Sequence, residues 1–181
     1  MQLILDKLGA TLIAMTLFVM VFVVNSRNGK TLTETTAFYE MTTQSEAFAK
    51  ILRRDLQGIA NVLTISEDLQ PDGSTEFRFE SRIGLDTTLR TIIYKRIPAA
   101  VRHGIPFYHI ERLVDGVVEG GSMDILTDWE ILALNEDAGT ITDPDDAAQV
   151  YVRFEAASPT IETDVVQRIL WESRFFPPLR N

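Results

Sequence analysis

The feature that most constrains the fold is an uncharged apolar run near the start of the chain, "LGATLIAMTLFVMVFVV", from Leu8 to Val24. As a helix these residues would span about 26 Å, close to the hydrocarbon thickness of a bilayer, which is about 30 Å. The run ends in "FVVNSRNG" and lacks the small-residue cleavage site of a secretory signal peptide. We therefore expect a retained membrane-spanning helix over residues 10–26.

The helical pattern continues beyond the apolar run and becomes amphipathic. After Met41, apolar residues recur in steps of seven, four, four, three and four, at Phe48, Leu52, Leu56, Ile59 and Leu63. This spacing is that of one helix face. The pattern predicts a polar face on the opposite side of the helix, formed by Glu34, Glu40, Glu46, Lys50, Arg53, Arg54 and Asp55. The pattern predicts one nearly continuous helix from about Leu8 to about Ile65, loosened at "NSRNGK", with residues 27–65 as its amphipathic continuation.

The period changes from helical to two after "PDGS", a turn signal at Pro71–Ser74. "EFRFESRI" places Phe77, Phe79 and Ile83 on one face of a strand. Further strands are predicted in Leu89–Tyr94, "PFYHIERLV", "MDILTDWEILAL" with a break near Asp128, "QVYVRFEA" and "DVVQRILWESRFF". This order predicts an α+β fold, in which the long helix packs on an antiparallel sheet formed by residues 66–181.

Charge separates the two regions and argues against several functions. The formal net charge is -9; residues 1–65 carry six basic and five acidic residues, so residues 66–181 hold a net charge of -10. Such a domain repels phosphate backbones, so we expect no nucleic-acid binding. Cysteine is absent, which excludes disulfides and thiolate chemistry. Nucleophile-elbow, Walker and Rossmann motifs are also absent, so we expect neither an enzyme nor a cofactor.

Two groups of polar residues are weighed as metal sites. One predicted loop collects Asn135, Glu136, Asp137, Asp143, Asp145 and Asp146. Oxygen-rich loops can bind calcium, but this spacing is not that of an EF-hand, and a solvated acidic turn is favoured. The two histidines, His103 and His109, have no third ligand nearby, and a surface or hydrogen-bonded sheet role is favoured. We therefore predict no metal site.

Aromatic residues near the C-terminus offer a contact surface for a partner. Trp129 and Trp171 lie in predicted strands, where such residues more often belong to the core. The final "FFPPLRN" is the best candidate for an exposed contact, because its prolines prevent further strand pairing. The predicted contact residues are Phe175, Phe176, Pro177 and Pro178.

Three stretches give the chain a resemblance to a known family. They are "KLGATLIA" at the start, "FAKILRRDLQGIANVL" with its R-D-L, and "DWEILALNEDAGTITDPDDAAQVYVRFEA". In these stretches the chain resembles type IV pilin-like proteins, and in particular the J-type minor pseudopilins of type II secretion. The resemblance implies that residues 1–9 are a leader, cut between Gly9 and Ala10 by prepilin peptidase. It also implies that Ala10, Thr11, Leu12, Ile13 and Ala14 pack against other pilin-like subunits. The alternative for Gly9 and Ala10 is that they are ordinary small residues of a membrane helix.

Two departures from the family pattern bear on assembly. Ala14 stands at the fifth mature position, where the family usually has Glu, and Asp6 makes the leader less basic than usual. In the family that intramembrane carboxylate is paired with the amino terminus of a neighbouring subunit; without a partner it would be costly. Ala14 therefore fits a subunit at the filament tip, or a relative that does not polymerise.

The function implied by the resemblance is that of a structural subunit of a type II secretion pseudopilus or a type IV pilus. The family places the chain in the bacterial inner membrane, as a single-pass protein with its C-terminal domain periplasmic or extracellular. Arg27 and Lys30 follow the apolar run, and only Lys7 precedes it. By the positive-inside rule this small difference would put the C-terminal side in the cytoplasm. We follow the topology that the family implies. The alternative is a single-pass anchor carrying an extracytoplasmic binding or sensor domain on a helical stalk.

Overall fold

A computed structural model describes residues 2–83, 88–102, 104–120, 123–158 and 167–176, with side chains from residue 12 onward. The chain forms two compact units, Met1–Tyr39 and Glu40–Asn181. The first unit consists of the N-terminal part of helix α1, and the second contains the rest of that helix and the strands.

Helix α1 extends from Gln2 to Gln57 and passes through "NSRNGK" without a break. The hydroxyls of Thr31, Thr33 and Thr35 each donate a hydrogen bond to the carbonyl oxygen four residues earlier, at 2.8–3.1 Å. These bonds satisfy the hydroxyls within the helix itself. The loosening predicted at this stretch is not observed.

The predicted end of α1 near Ile65 is wrong. The helix ends at Gln57, and a strand begins at Ile59. Gly58 lies so close to the neighbouring strand that an added Cβ would be 2.1 Å from the carbonyl oxygen of Arg82. Since no other side chain fits there, the glycine permits the chain to leave the helix and join the sheet directly.

The described residues form a nine-stranded antiparallel sheet. Its strands are β1 (Ile59–Val62), β2 (Asp68–Leu69), β3 (Thr75–Arg82), β4 (Leu89–Arg102), β5 (Ile105–Val114), β6 (Val117–Val118), β7 (Met123–Leu134), β8 (Gln149–Ala157) and β9 (Arg168–Phe175). Seven of them follow the order β1-β3-β4-β5-β7-β8-β9, while β2 pairs with β3 and β6 pairs with β5. The predicted α+β class, a long helix with an antiparallel sheet, is confirmed.

Sequence alternation predicts the buried face of β3 correctly, whereas the predicted break in β7 is wrong. Phe77 and Phe79 of β3 are fully buried, as their period predicts. Strand β7 is not broken near Asp128; it continues past that residue, and its register against β8 shifts between Leu126 and Asp128. An irregularity of this kind inserts an extra residue without ending the strand.

The C-terminal part of α1 packs on the sheet through a cluster of buried aromatic rings. The ring of Phe48 lies 6.2 Å from that of Tyr94, 5.8 Å from that of Trp129 and 5.4 Å from that of Phe154, centroid to centroid. Pairs of this geometry contribute roughly 0.5–1.5 kcal/mol each beyond the area that they bury. Phe48 therefore fixes this part of the helix against β4, β7 and β8.

Candidate functional site

The first candidate surface is the exposed apolar segment of α1, Leu12–Val24. Its large apolar side chains are 42% to 72% exposed, and α1 is long and apolar enough to cross a membrane. The one hydroxyl in the segment, that of Thr16, donates to the carbonyl oxygen of Leu12 at 2.8 Å. Since lipid offers no hydrogen-bond partners, this internal bond suits a lipid environment. The segment is compatible with a single-pass anchor.

The residues of the predicted processing and assembly site lie on this helix. Gly9, Ala10 and Thr11 are helical, and their side chains fall outside the described part. Leu12, Ile13 and Ala14 are exposed. Exposure leaves these three available for lipid or for another helix, and whether the chain is cut after Gly9 stays a prediction.

The second candidate is a buried polar cluster at which α1 meets the sheet. Asp55 of α1 is completely buried, although the sequence pattern assigns it to the polar face, and that assignment is wrong. Its carboxylate accepts hydrogen bonds from Nε of Arg112 at 2.5 Å, from Nη2 of Arg112 at 3.2 Å and from the Tyr94 hydroxyl at 2.8 Å. Its backbone oxygen accepts from Ser81 Oγ at 2.5 Å. We call Asp55, Arg112 and Tyr94 the helix–sheet clamp.

The clamp follows from the same periodicities that build the core. Asp55 lies three residues after Leu52 and seven after Phe48, both buried helical residues, so the helix turns it toward the sheet. Arg112 alternates in phase with Ile110 and Val114 of β5, both of which are buried. Asp55 and Arg112 each occupy a position in the sequence where the period of the helix or strand predicts an apolar residue. That mismatch is the sequence signal by which a buried charge could have been predicted at each position.

The electrostatics of the clamp favour a proton on Tyr94 and a charge on Arg112. Burial, together with the neighbouring Asp55 carboxylate, raises the pKa of the Tyr94 hydroxyl well above 10.0. Burial opposes the charge on Arg112, but the hydrogen bonds and the charge of Asp55 outweigh it, and the pKa of that guanidinium is raised. Asp55 is fully buried, and the clamp joins α1 to strands β4 and β5 through the hydrogen bonds of its carboxylate.

The third candidate is a groove between α1 and β9, about 470 Å³ in volume, which we call the β9 groove. Its walls are Thr42, Ser45, Glu46, Ala49, Lys50 and Arg53 from the helix and Phe154, Ile169 and Trp171 from the sheet. The floor is apolar and the helical rim is charged. Sequence periodicity does not predict this groove, because it joins residues more than a hundred positions apart.

The acidic loop between β7 and β8 uses its polar side chains for local structure. Asn135 Oδ1 accepts from the backbone N–H of Gly139 at 2.7 Å. Asp143 caps a short 3-10 helix, Pro144–Asp146, by accepting from the backbone N–H of Asp145 at 3.0 Å. Glu136, Asp137 and Asp146 are exposed. Within the described ranges, no three His, Cys, Asp or Glu residues are grouped as a metal site would need.

The remaining candidate residues are dispersed over the structure. Phe175 is buried and packs 6.4 Å from Trp171, ring to ring, so the exposed contact predicted for it is wrong. Phe176 is 70% exposed, and Pro177 and Pro178 lie outside the described residues. His109 pairs with Asp124 through Nδ1, and His103 also lies outside the described part. Trp129 is a core residue.

Comparisons with protein-family models, with curated proteins and with solved structures find no match to this chain.

Proposed function

We propose that this protein is a minor pilin or pseudopilin subunit, a structural part of a type II secretion pseudopilus or a type IV pilus. The observation that carries the proposal is helix α1. It begins with an exposed apolar segment, Leu12–Val24, and its last turns enter the core of an antiparallel sheet. This combination places a candidate membrane anchor and the attachment of a globular domain on one helix.

In the proposed role the two parts of α1 do different work. The apolar segment lies in the inner membrane and packs laterally against the helices of other pilin-like subunits, beginning at Ala10 after cleavage by prepilin peptidase. The clamp and the Phe48 cluster hold the β-domain on the other part of α1. The acidic domain lies outside the cytoplasm and contacts other subunits of the filament.

Ala14 gives the proposed subunit a position at the tip of the filament. A carboxylate at this depth in the membrane would need a partner charge, and alanine needs none. A subunit at the tip has no further subunit to pair with, so alanine in place of the usual glutamate removes no ion pair there.

The same residue also favours a second candidate function. If the chain does not polymerise, Ala14 is an ordinary residue of a single-pass anchor, and the sheet is an extracytoplasmic binding or sensor domain on a helical stalk. The two functions differ in what surrounds Leu12–Val24, which is other pilin-like helices in the first and lipid alone in the second.

Photo-crosslinking in the native membrane separates the two functions. The photoreactive residue p-benzoylphenylalanine replaces Phe18 or Phe22, which are 72% and 67% exposed. The proposal predicts adducts whose partner peptides come from proteins with pilin-like N-terminal helices. The control position is Leu69, 76% exposed on β2, which should not give those adducts. Lipid adducts alone at Phe18 and Phe22 would contradict the proposal.

A further inference from the structure

The C-terminal half of β7 has an edge along which no described strand is paired. Its registered pairing with β5 ends at Leu126, whereas its pairing with β8 continues to Leu134. Unpaired strand edges bind other extended segments, and proteins usually cover them. The backbone groups on this edge of β7 must therefore find their hydrogen bonds elsewhere in the chain.

Three contacts satisfy backbone groups along this edge. The N–H of Trp129 donates to Oδ1 of Asp128 at 3.0 Å, and the carbonyl oxygen of Trp129 accepts from Nη1 of Arg96 at 3.2 Å. The N–H of Ala133 donates to the carbonyl oxygen of Ile65 at 2.7 Å. The first two partners are side chains, and the third is the backbone of a neighbouring connection.

That connection consists of residues 63–67, between β1 and β2, and we call it the edge strap. At its start the N–H groups of Leu63 and Thr64 donate to the carbonyl oxygen of Arg78 on β3, at 3.0 and 3.2 Å. Strand β2, which follows directly, also pairs with β3. Both ends of the edge strap are thus fixed to β3, and its middle reaches β7 through Ile65.

Glu67 is the side chain by which the edge strap contacts β4. Its Oε2 lies 3.1 Å from Nη2 of Arg96, and its side chain is 13% exposed. Arg96 has further contacts, because its Nε donates to Thr75 Oγ1 at 3.1 Å and its guanidinium lies 5.0 Å from the ring centroid of Tyr108. When the pair separates, Arg96 is therefore held in place, and the edge strap is the part that moves.

The carboxylate of Glu67 is poorly compensated in this position. Its Oε1 is buried and has no hydrogen bond of ordinary geometry to any described residue. An ionised carboxylate is costly to bury when one of its oxygens lacks a partner. Burial is the largest effect on Glu67 and raises its pKa above 4.5, whereas the charge of Arg96 lowers it.

The other neighbours of Glu67 act on its pKa in both directions. The hydroxyl of Thr75 and the indole N–H of Trp129 lower the pKa, and the charge of Asp128 on β7 raises it. Asp128 is itself paired with Arg153 on β8. The net result is a raised pKa, so protonation of Glu67 favours the closed edge strap.

We propose that the edge strap is a pH-dependent cover of the β7 edge, with Glu67 as its latch. When Glu67 ionises, its carboxylate moves into water, the bond from Ala133 to Ile65 breaks, and the edge is uncovered while the rest of the Glu40–Asn181 unit stays folded. The closed form is favoured below pH 4.5 and loses that advantage as the pH rises through the raised pKa of Glu67. The inference holds for either candidate function, because it uses only contacts within this unit.

Native-state hydrogen exchange, measured by NMR on the full chain in non-ionic detergent micelles, tests the latch. The amide of Ala133 reports opening of the edge strap, because its acceptor is Ile65. The control amide is that of Ala148, whose acceptor is the carbonyl oxygen of Leu134, at 2.9 Å and outside the edge strap. Protection factors, corrected for the intrinsic exchange rate, give the opening equilibrium at each pH. As the pH rises from below 4.5, opening at Ala133 should increase at least about twofold, and opening at Ala148 should stay constant.

Two matched variants identify the titrating group. Glu67→Gln keeps the size of the side chain and removes its charge, so opening at Ala133 should become independent of pH. Glu136→Gln makes the same change at an exposed position of the loop between β7 and β8, and it should leave the wild-type dependence intact.

Three results would overturn the proposal. Opening at Ala133 that stays constant or decreases as the pH rises would show that Arg96 holds the ionised Glu67 in place. Equal increases at Ala133 and Ala148 would show that the whole unit opens. A wild-type pH dependence that persists in Glu67→Gln would assign the titration to another group. If Glu67→Gln does not fold, the comparison of Ala133 with Ala148 in the wild type still decides between the proposal and the first two results.

Discussion

The carboxylate of Asp55 in helix α1 accepts a 2.5 Å hydrogen bond from Nε of Arg112 in strand β5, across a sequence separation of 57 residues. Both side chains are buried, at 0% and 4% exposure. The pair ties the C-terminal part of α1 to the middle of the sheet at a fixed register, because separating the two buried charges would leave them only the more exposed Arg54 and Glu119 as partners.

Removing the charge of Asp55 should destabilise the Glu40–Asn181 unit strongly. In Asp55→Asn the buried guanidinium of Arg112 keeps only the exposed Glu119, 3.7 Å away, as a counter-charge, and we expect a loss of about 3 kcal/mol in the free energy of unfolding. The measurement is urea unfolding in micelles followed by tryptophan fluorescence, since both tryptophans, Trp129 and Trp171, lie in this unit. The exposed Asp137→Asn should change stability by less than about 0.5 kcal/mol.

A double replacement tests whether the cost comes from the unpaired charge. Asp55→Leu combined with Arg112→Met removes both charges, and it should cost less than Asp55→Asn alone, because no buried ion is left without a partner. A double variant that is less stable than Asp55→Asn would contradict this explanation of the clamp.

The Tyr94 hydroxyl should give a stability contribution that disappears at high pH. Tyr94→Phe removes a hydrogen bond to a buried carboxylate, at an expected cost of about 1.5–3 kcal/mol near neutral pH. Because the folded pKa of Tyr94 is raised above 10.0, the unfolded chain loses this proton first. The advantage of the wild type over Tyr94→Phe is therefore fully present below about pH 10 and is lost as pH rises beyond it. A difference that stays constant to higher pH would count against the assigned hydrogen bond.

Burial of Glu67 should make the protein less stable as the pH rises, whereas an ordinary salt bridge of a glutamate makes it more stable. Its carboxylate lies 3.1 Å from Arg96, yet burial outweighs that charge and raises the pKa of Glu67 above 4.5. Between 4.5 and the raised value the folded chain holds more protons than the unfolded chain, so stability falls as pH rises. The advantage of the wild type over Glu67→Gln should shrink as the pH rises above 4.5, in the same unfolding assay. An advantage that grows over this range would show that the Arg96 pair dominates.

The junction between α1 and β1 should tolerate no side chain at residue 58. In Gly58→Ala the new Cβ would lie 2.1 Å from the Arg82 carbonyl oxygen and 2.8 Å from Ser81 Oγ, so we expect a loss of about 1–3 kcal/mol or more. Gly120→Ala is the matched control, because a Cβ there meets nothing within 4 Å. Equal stability of the two variants would contradict the tight junction.

Much of the fold could be predicted because burial and periodicity coincide in the strands. Phe77 and Phe79 alternate with charged neighbours, and the structure buries both of them. The helix end could not be placed in the same way. Ile59 continues the helical spacing of Leu52 and Leu56, and it also fits a strand, so periodicity alone does not distinguish the two. The close approach of Gly58 to Arg82 ends the helix before Ile59, and that contact is a tertiary one.

The candidate sites were less predictable than the fold. Asp55 was assigned to the polar face by residue type, although it lies three residues after Leu52 and seven after Phe48, a spacing that puts it on the buried side. The β9 groove depends on residues of α1 and β9 that only folding brings together. Phe175 was expected at the surface because prolines follow it, yet its own strand face turns it inward against Trp171. Local pattern does not reveal pairs of residues distant in sequence.

The measurement that tests the proposed function most directly is the intact mass and N-terminal sequence of the protein from its native membrane. The account predicts a mature chain that begins at Ala10, the residue after the Gly9 cleavage position. A chain that still begins at Met1 in assembled, functional complexes would contradict it and would favour a permanently anchored binding or sensor domain.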